Sequence, residues 1–274
     1  MKNGLAVFFA AFIALGGSWT GFVLGPALQL GREKQTTVLN SSDPYPVQRT
    51  GEATMGLQVY RANGCAACHT EQIQQYGMAC NVVLTSPGKT PATMANISNL
   101  VSTLKLEGLN EADASAVSDK ITAAGGKTET HIYATGGDIS RGWGIRHSVA
   151  ADYLYDYPVQ LGSLRAGPDL AAIGVREPDV YWQLLHLYAP QCKSPNSAMP
   201  PFKFLFEVRK IGATPSPDAL DLPKEFAPAD GYEVVPKPEA KELAAYLLSL
   251  HADVPLYEAP FTPLPASTSA SANK

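Results

Sequence analysis

The longest apolar stretch of the chain lies at its N-terminus. Lys2 is the only charged residue before Arg32, and Leu, Ala, Phe, Val and Gly dominate the residues between them. A helix needs about 20 apolar residues to cross the hydrocarbon core of a membrane. The stretch therefore predicts a transmembrane anchor over residues 1–31. A cleaved signal peptide is the alternative, but it has a shorter apolar run and a small-residue cleavage site, of which this segment has no convincing example.

Two amphipathic helices are predicted far apart in the chain. Residues 52–63 predict a short helix in which Gly56 and Tyr60 lie four positions apart on one face. Residues 239–251 predict a second helix, because apolar side chains recur there at three- and four-residue spacing. We expect the glycine-plus-aromatic face of the first helix to pack against the second.

The pattern is less regular between and beyond these helices. Polar residues with two prolines predict a linker over residues 32–51. Residues 81–140 carry two helical stripes and a weakly alternating strand at 128–135, which predict a small inserted αβ segment with no assigned chemistry. The domain that contains the segment is predicted to span residues 52–255, and residues 256–274 are predicted to form a flexible tail.

Composition narrows the class of protein. A chain of 274 residues can form one large domain or two small ones. Its charged content of 17% is low and its net charge is −4, while Pro and Gly are plentiful. These values indicate a loop-rich globular protein without a basic surface, so nucleic acid is not an expected partner.

The chemistry is concentrated in Cys65-Ala66-Ala67-Cys68-His69. Two cysteines separated by two residues and followed at once by histidine form the signature of covalent c-type haem attachment. The thiols of Cys65 and Cys68 would add to the two vinyl groups of one haem, and His69 would be the proximal iron ligand. A plain C-x-x-C pair could instead be redox-active or bind zinc, but the following histidine favours haem. The motif occurs once, so we expect one haem.

Met199 is the candidate for the sixth iron ligand. An electron-transfer haem usually has a second axial ligand, often methionine, which raises the reduction potential. Among five methionines, Met199 alone lies in a rigid proline-rich loop before the C-terminal helix, whereas Met94 fits a role as core filler. Ligation by a second histidine, either His147 or His186, is the alternative.

Further side chains have open assignments. Arg165 and Arg146 could hydrogen-bond the haem propionates, or they could be solvated arginines. Cys80 and Cys192 remain after the haem motif takes two of the four cysteines. Outside the cytoplasm such a pair predicts a disulfide, and two separate buried thiols are the alternative.

The run from Gly162 to Leu170 resembles class I cytochromes c. It contains Gly167-Pro168-Asp169-Leu170, and a Gly-Pro-x-Leu run follows the haem motif in many of these proteins. The resemblance implies that the carbonyl of Pro168 accepts a hydrogen bond from the proximal histidine. The expected fold is therefore mainly α: an N-terminal transmembrane helix and a class I cytochrome c domain with a small inserted αβ segment.

Several motifs in order resemble the membrane-anchored mono-haem cytochrome c subunit of cbb3-type cytochrome c oxidases. Besides the anchor and the haem motif, they are Gln75-Tyr76-Gly77, Tyr155-Asp156-Tyr157-Pro158, Trp182 with His186-Leu187, and Ser197-Ala198-Met199-Pro200. The chain departs from that pattern in the segment after Cys80 and in the long stretch 207–236. The resemblance implies that Cys65 and Cys68 bind haem and that His69 and Met199 ligate its iron.

Electron delivery is the function that this resemblance implies. The subunit would take electrons from a cytochrome c donor and pass them to the haem-copper catalytic subunit, assembled with the other oxidase subunits. It would be a single-pass protein of the cell inner membrane, with the haem domain on the periplasmic side. The alternatives are the cytochrome c subunit of a nitric oxide reductase, a haem c gas-binding sensor, and a haem peroxidase, which the absence of an obvious acid-base pair disfavours.

Overall fold

The computed structural model describes residues 3–31 and 34–259. Within them the protein is mostly helical and contains three two-stranded antiparallel sheets. The helices are α1 (Gly4–Trp19), α2 (Gly25–Leu30), α3 (Glu52–Ala62), α4 (Pro91–Thr103), α5 (Glu111–Ala123), α6 (Gly137–Ser140), α7 (Ile173–Arg176), α8 (Val180–Tyr188), α9 (Pro190–Lys193) and α10 (Pro238–Leu248). The strands are β1 (Thr36–Thr37), β2 (Pro44–Tyr45), β3 (Gly77–Ser86), β4 (Lys127–Thr135), β5 (Phe206–Lys210) and β6 (Tyr232–Pro236).

The N-terminal apolar stretch is helical, as predicted. A π-helical turn, Thr20–Leu24, joins α1 to α2, so the helix runs without interruption over Gly4–Gln29. These 26 residues include an 18-residue window with a mean hydropathy of 1.9, and no residue of that window is buried. By length and composition this helix could cross a membrane. Met1 and Lys2, the start of the predicted anchor, lie outside the described residues.

The predicted linker is folded onto the rest of the protein, which corrects the interpretation of residues 34–51 as a tether. Strands β1 and β2 pair with each other. The Tyr45 hydroxyl donates a hydrogen bond to Asp152 at 2.7 Å, and the guanidinium of Arg49 forms an ion pair with Asp156. The polar composition of this segment indicated that it would be exposed to solvent, but Tyr45 and Arg49 are partners of buried carboxylates.

Helices α3 and α10 form the centre of the largest apolar core, and they meet as predicted. Gly56 allows the close approach, because a Cβ at this position would lie 1.9 Å from the carbonyl oxygen of Glu242. One turn further on, the rings of Tyr60 and Tyr246 pack with their centroids 5.2 Å apart. Helix α8 contributes Leu184, Leu185 and Leu187 to the same core. This core fixes the position of the C-terminal end of α3, and therefore of the haem motif that follows it.

The αβ segment forms a β-α-α-β unit with its own core. Strands β3 and β4 pair antiparallel from Gly77↔Thr135 to Ser86↔Lys127. Helices α4 and α5 carry caps at Thr90 and Asn110, whose side chains accept backbone N–H groups of the first turn. The predicted helices and the strand at 128–135 are present. Strand β3 was not predicted, because apolar and polar residues do not alternate along it. The observed unit begins at Gly77, whereas the predicted segment began at residue 81.

The predicted bridge between Cys80 and Cys192 is wrong. Cys80 is buried in the core of the β-α-α-β unit, whereas Cys192 packs against the helical core. Both thiols are free in the structure. Each cysteine fills space in a different core, which agrees with the alternative of two separate thiols.

The stretch 207–236 is a hairpin whose connection packs back on the protein. Strands β5 and β6 form its base, and the amide of Leu220 donates to the carbonyl of Val234 at 2.8 Å. Beyond α10, Leu256 and Ala259 are buried. The first residues of the predicted tail are therefore part of the fold, while residues 260–274 lie outside the described part of the chain.

Candidate haem site

The Cys-Ala-Ala-Cys-His motif forms a 3₁₀ turn directly after α3. Gly64 precedes the turn in the left-handed region at φ 66°, a conformation that favours glycine. Within the turn the amide of His69 donates to the carbonyl of Cys65 at 3.0 Å. Cys65 is half-buried and Cys68 is exposed. The turn therefore has one thiol against the protein core and the other at the surface.

The thiol of Cys65 does not have the character of a redox-active cysteine. Burial raises its pKa to about 11, and the nearby charges of Glu71 and Cys68 act in the same direction. Redox-active Cys-x-x-Cys pairs have lowered thiol pKa values instead. Among the described residues no group of three or more His, Cys, Asp or Glu side chains could hold a metal ion. The raised pKa of the Cys65 thiol therefore disfavours the redox-active interpretation of the motif.

His69 is oriented by the loop that contains Pro168. Its Nδ1 lies 2.8 Å from the carbonyl oxygen of Pro168, which accepts the hydrogen bond when Nδ1 carries the proton. The other ring nitrogen, Nε2, is then the one with a free lone pair for a metal ion. This is the contact that the predicted role of Pro168 requires. The ligation of iron by His69 remains a prediction.

Gly167 fits closely against the His69 ring. A Cβ at Gly167 would lie 2.2 Å from Cε1 and 2.7 Å from Nδ1 of the imidazole. The amide of Gly167 also donates to the carbonyl of Cys68 at 2.9 Å. Only glycine leaves room for the imidazole at this position. The sequence analysis gave Gly167 no role, although it is part of the Gly-Pro-Asp-Leu run.

Asp169 fixes the segment that follows His69. Its side chain is fully buried and accepts hydrogen bonds from the Thr70 hydroxyl at 2.6 Å, the Gln72 amide at 2.8 Å and the Ala171 amide at 2.9 Å. Sequence reasoning gave Asp169 no role. A buried carboxylate with three donors indicates that it positions the histidine loop against the Pro168 loop.

Glu71 is a second buried carboxylate near the motif that the sequence analysis missed. Both of its oxygens lie 2.9 Å from the hydroxyl of Tyr246. Burial raises the pKa of Glu71 to about 8, although the Tyr246 hydrogen bond and the Arg49 charge act in the opposite direction. Glu71 therefore links the motif to α10. No local sequence signal marks it, because its partner lies 175 residues away.

Met199 belongs to the same apolar core as the start of the motif. It is half-buried and packs against the core that also includes Cys65 and Ala66. Met94, by contrast, is 43% exposed, which contradicts its interpretation as core filler. The thioether of Met199 therefore packs against the same core as the start of the haem motif, as a sixth ligand would require. Ligation of iron by Met199 remains a prediction.

The two alternative histidine ligands differ in their surroundings. Nδ1 of His147 lies 2.8 Å from Oε1 of Gln75. The His186 ring stacks on Trp182, with centroids 4.8 Å apart. Burial lowers the pKa of His186 to about 4, and the charge of His69 adds to this effect. The buried Nδ1 of His186 has no hydrogen-bond partner among the described residues, whereas Nδ1 of His147 is engaged by Gln75, so His186 is the stronger alternative to Met199.

The two candidate propionate partners are already engaged. Arg165 donates to both oxygens of buried Asp138 and to the carbonyl of Gln72, so a propionate would have to share its partly exposed guanidinium. A contact of Arg165 with haem remains a prediction. Arg146 is 1% exposed, and all five of its N–H groups point at protein acceptors. The propionate interpretation of Arg146 is therefore wrong.

The donor set fits a covalently bound haem c. The two free thiols lie at one turn, the imidazole has its Nδ1 fixed by a carbonyl, and a thioether lies on the adjoining core. Soft sulfur and imidazole ligands of this kind suit haem iron. No other group of described side chains offers this combination.

We expect Gly167→Ala to disturb the predicted proximal ligand. The added methyl group would overlap the His69 imidazole, so the ring must turn and its hydrogen bond to the carbonyl of Pro168 must break. Loss of such a supporting contact typically weakens a metal site by about 10–100-fold. The measurement is the fraction of purified chain with low-spin ferric haem, read from its optical spectrum.

Gly77→Ala is the matched control, because a Cβ at Gly77 would meet only Thr135 Oγ1 at an ordinary 3.5 Å. Equal low-spin fractions in the two variants would contradict the assignment of His69 as the oriented ligand.

One comparison with known proteins identifies a relative of this site. Residues 138–223 match the family described as cytochrome c oxidase, mono-heme subunit/FixO. The match covers under a third of the 274 residues and includes Pro168 and Met199 but not the Cys-Ala-Ala-Cys-His motif. No curated protein matches the chain. The family match confirms the resemblance to the mono-haem cytochrome c subunit of cbb3-type oxidases, and it supports one c-type haem and association with oxidase subunits.

Proposed function

Because residues 138–223 match the mono-haem subunit family of cytochrome c oxidase, we propose that the chain is an electron-transfer subunit of a haem-copper oxidase. In this proposal Cys65 and Cys68 would hold one haem c, and His69 and Met199 would ligate its iron. Electrons come from a cytochrome c donor and pass to the catalytic subunit, where oxygen is reduced. The family match carries this proposal, and the hydrogen bond between His69 Nδ1 and the carbonyl of Pro168 supports the assignment of His69 as the proximal ligand.

The residues of the site would perform four tasks. A bound haem c supplies a reversible one-electron couple. Pro168 holds the His69 ring and increases its basicity through the Nδ1 hydrogen bond. The thioether of Met199 favours ferrous iron, and the apolar core around it excludes water. Cys68 is exposed, so the attached haem edge would lie near the surface, as outer-sphere electron transfer requires.

The N-terminal helix fits the role of a membrane anchor. It is long and apolar enough to span the bilayer, and oxidases of this family are membrane complexes. Covalent haem attachment takes place outside the cytoplasmic membrane, so in this proposal the haem domain would lie on the periplasmic side of the cell inner membrane. The helix would keep the haem domain near its membrane partner while a soluble donor approaches from the periplasm.

Replacement of Met199 tests the proposal. We expect the ferric full-length protein in detergent to show the weak near-infrared band of methionine-ligated haem, and we expect Met199→Ala to abolish it. The variant should also bind carbon monoxide after reduction, because its sixth position is open. Met94→Ala serves as the control, since Met94 lies on α4 in the β-α-α-β unit, and it should keep the band.

Two results would contradict this assignment. A native protein that lacks the band and binds carbon monoxide readily would favour a gas-binding sensor. A native protein that lacks the band, stays low-spin and loses that state in His186→Ala would make His186 the ligand.

A further inference from the structure

Residues 155–164, called here the apolar loop, expose a run of apolar side chains beside the haem motif. Tyr157 is 92% exposed and Leu164 is 63% exposed. The remaining large apolar side chains of the loop are each about two-fifths exposed, namely Tyr155, Val159 and Leu161. Single exposed apolar residues are normal on protein surfaces, but a run of them indicates an interaction site.

The apolar loop exposes no charge. Asp156 is its only charged residue, and its buried carboxylate is paired with Arg49. Its other large polar side chain, Gln160, is also buried and donates to the carbonyl of Pro158 at 2.6 Å. The loop therefore directs its charge inward and its apolar groups outward, which is the reverse of an ordinary solvated loop.

The backbone of the apolar loop is held firmly against the haem motif. The amide of Ser163 donates to the carbonyl of Ala66 at 3.0 Å, and the amide of Glu71 donates to the carbonyl of Leu161 at 3.2 Å. At Gly162, a Cβ would lie 2.2 Å from the carbonyl oxygen of His69. A surface ordered in this way before binding loses little conformational entropy when a partner covers it. Its position would put any partner next to the exposed Cys68.

We infer that the apolar loop is the contact surface for the catalytic subunit of the same oxidase. This inference rests on the proposed function and adds the surface by which the subunit docks. Permanent subunit interfaces are more apolar than transient ones. A diffusing cytochrome c donor is normally steered by charged side chains, and an anionic membrane surface attracts basic ones. The loop exposes neither, so a permanently bound protein subunit is the occupant that its chemistry fits.

Cysteine labelling can locate this contact. Tyr157→Cys is introduced into the full-length chain, and its reaction with a membrane-impermeant maleimide is followed in membranes that contain the whole oxidase and in membranes that lack the catalytic subunit. We expect labelling to be at least about tenfold slower in the whole oxidase, because an interface core excludes water and reagent. Tyr257→Cys, at an equally exposed tyrosine outside the loop (86%), should react at the same rate in both. The unsubstituted chain gives the background from Cys80 and Cys192.

Each other outcome would overturn the inference. Equal labelling of Tyr157→Cys with and without the catalytic subunit would show that the loop stays free in the complex. Protection in both membranes would assign the loop to the lipid surface, and protection only after addition of a soluble cytochrome c would assign it to the donor. If the unsubstituted chain does not co-purify with a haem-copper subunit, the proposed function fails as well. Complex formation without protection would overturn the docking surface alone.

Discussion

Gly56→Ala should destabilise the protein by about 2–3 kcal/mol, the upper part of the range typical of inserting a methyl group into a filled core. The added Cβ would lie 1.9 Å from the carbonyl oxygen of Glu242 and 2.7 Å from Cβ of Tyr246. Both contacts involve atoms fixed by the α10 backbone, so the two helices must move apart. Alanine favours an isolated helix over glycine by up to about 1 kcal/mol, which is too little to reverse the result.

The effect should appear as a lower melting temperature of the full-length protein in detergent. For a protein of this size 1 kcal/mol shifts the Tm by about 2–4 °C, so a decrease of roughly 4–12 °C is expected. Met55→Ala is the control, because Met55 directly precedes Gly56 on α3 and is 54% exposed. The Tm of the Met55→Ala variant should change little. An unchanged Tm for Gly56→Ala would mean that α3 and α10 do not cross at this glycine.

The parts of the fold that the sequence predicted have strong local signals. Helices α3 and α10 have three- and four-residue apolar spacing, and Gly56 and Tyr60 mark the face by which they meet. The haem motif is a contiguous pentapeptide. Pro168 was predicted from its motif and lies within hydrogen-bond distance of His69. In each case the informative residues are close together in the chain, so their spacing alone carries the prediction.

The parts that were missed depend on distant partners. Asp169 and Glu71 act through hydrogen bonds to residues up to 175 positions away. Likewise, the polar segment with Tyr45 and Arg49 indicated a linker, because nothing local shows that Asp152 and Asp156 receive those side chains. Cys80 and Cys192 were paired by elimination, whereas burial in two separate cores decides their state. Buried polar partners are set by the tertiary fold, and a single sequence does not reveal them.

These distant contacts have a common consequence for the site. Arg49 joins residues 34–51 to Asp156 of the apolar loop, and Tyr45 joins the same segment to Asp152. The haem motif, the apolar loop and the segment that contains Tyr45 and Arg49 are thus parts of one hydrogen-bonded structure.

Arg146→Met should cause the largest loss of stability that we expect from a single substitution. Arg146 donates to the carbonyl of Val254 at 2.6 Å and to the carbonyl of His147 at 2.9 Å. It also pairs with both oxygens of Asp152, at 2.7 and 3.0 Å. Methionine keeps the apolar stem of arginine but has no donor, so the buried carboxylate of Asp152 would lose its counter-ion. Breaking a buried ion pair by removing one partner costs about 3–5 kcal/mol.

The expected result is a Tm lower by roughly 6–20 °C, at 2–4 °C per kcal/mol. Arg141→Met is the control, because Arg141 is exposed and only stacks over Trp143 at 5.0 Å, a contact worth about 0.5–1 kcal/mol. Adding Asp152→Asn to Arg146→Met removes the unpaired charge, so the double variant should recover part of the loss if the two side chains are coupled. Equal decreases for Arg146→Met and Arg141→Met would contradict the buried pair. The recovered part of the loss would then be the cost of the unpaired Asp152 carboxylate, because the lost donors to Val254 and His147 are not restored in the double variant.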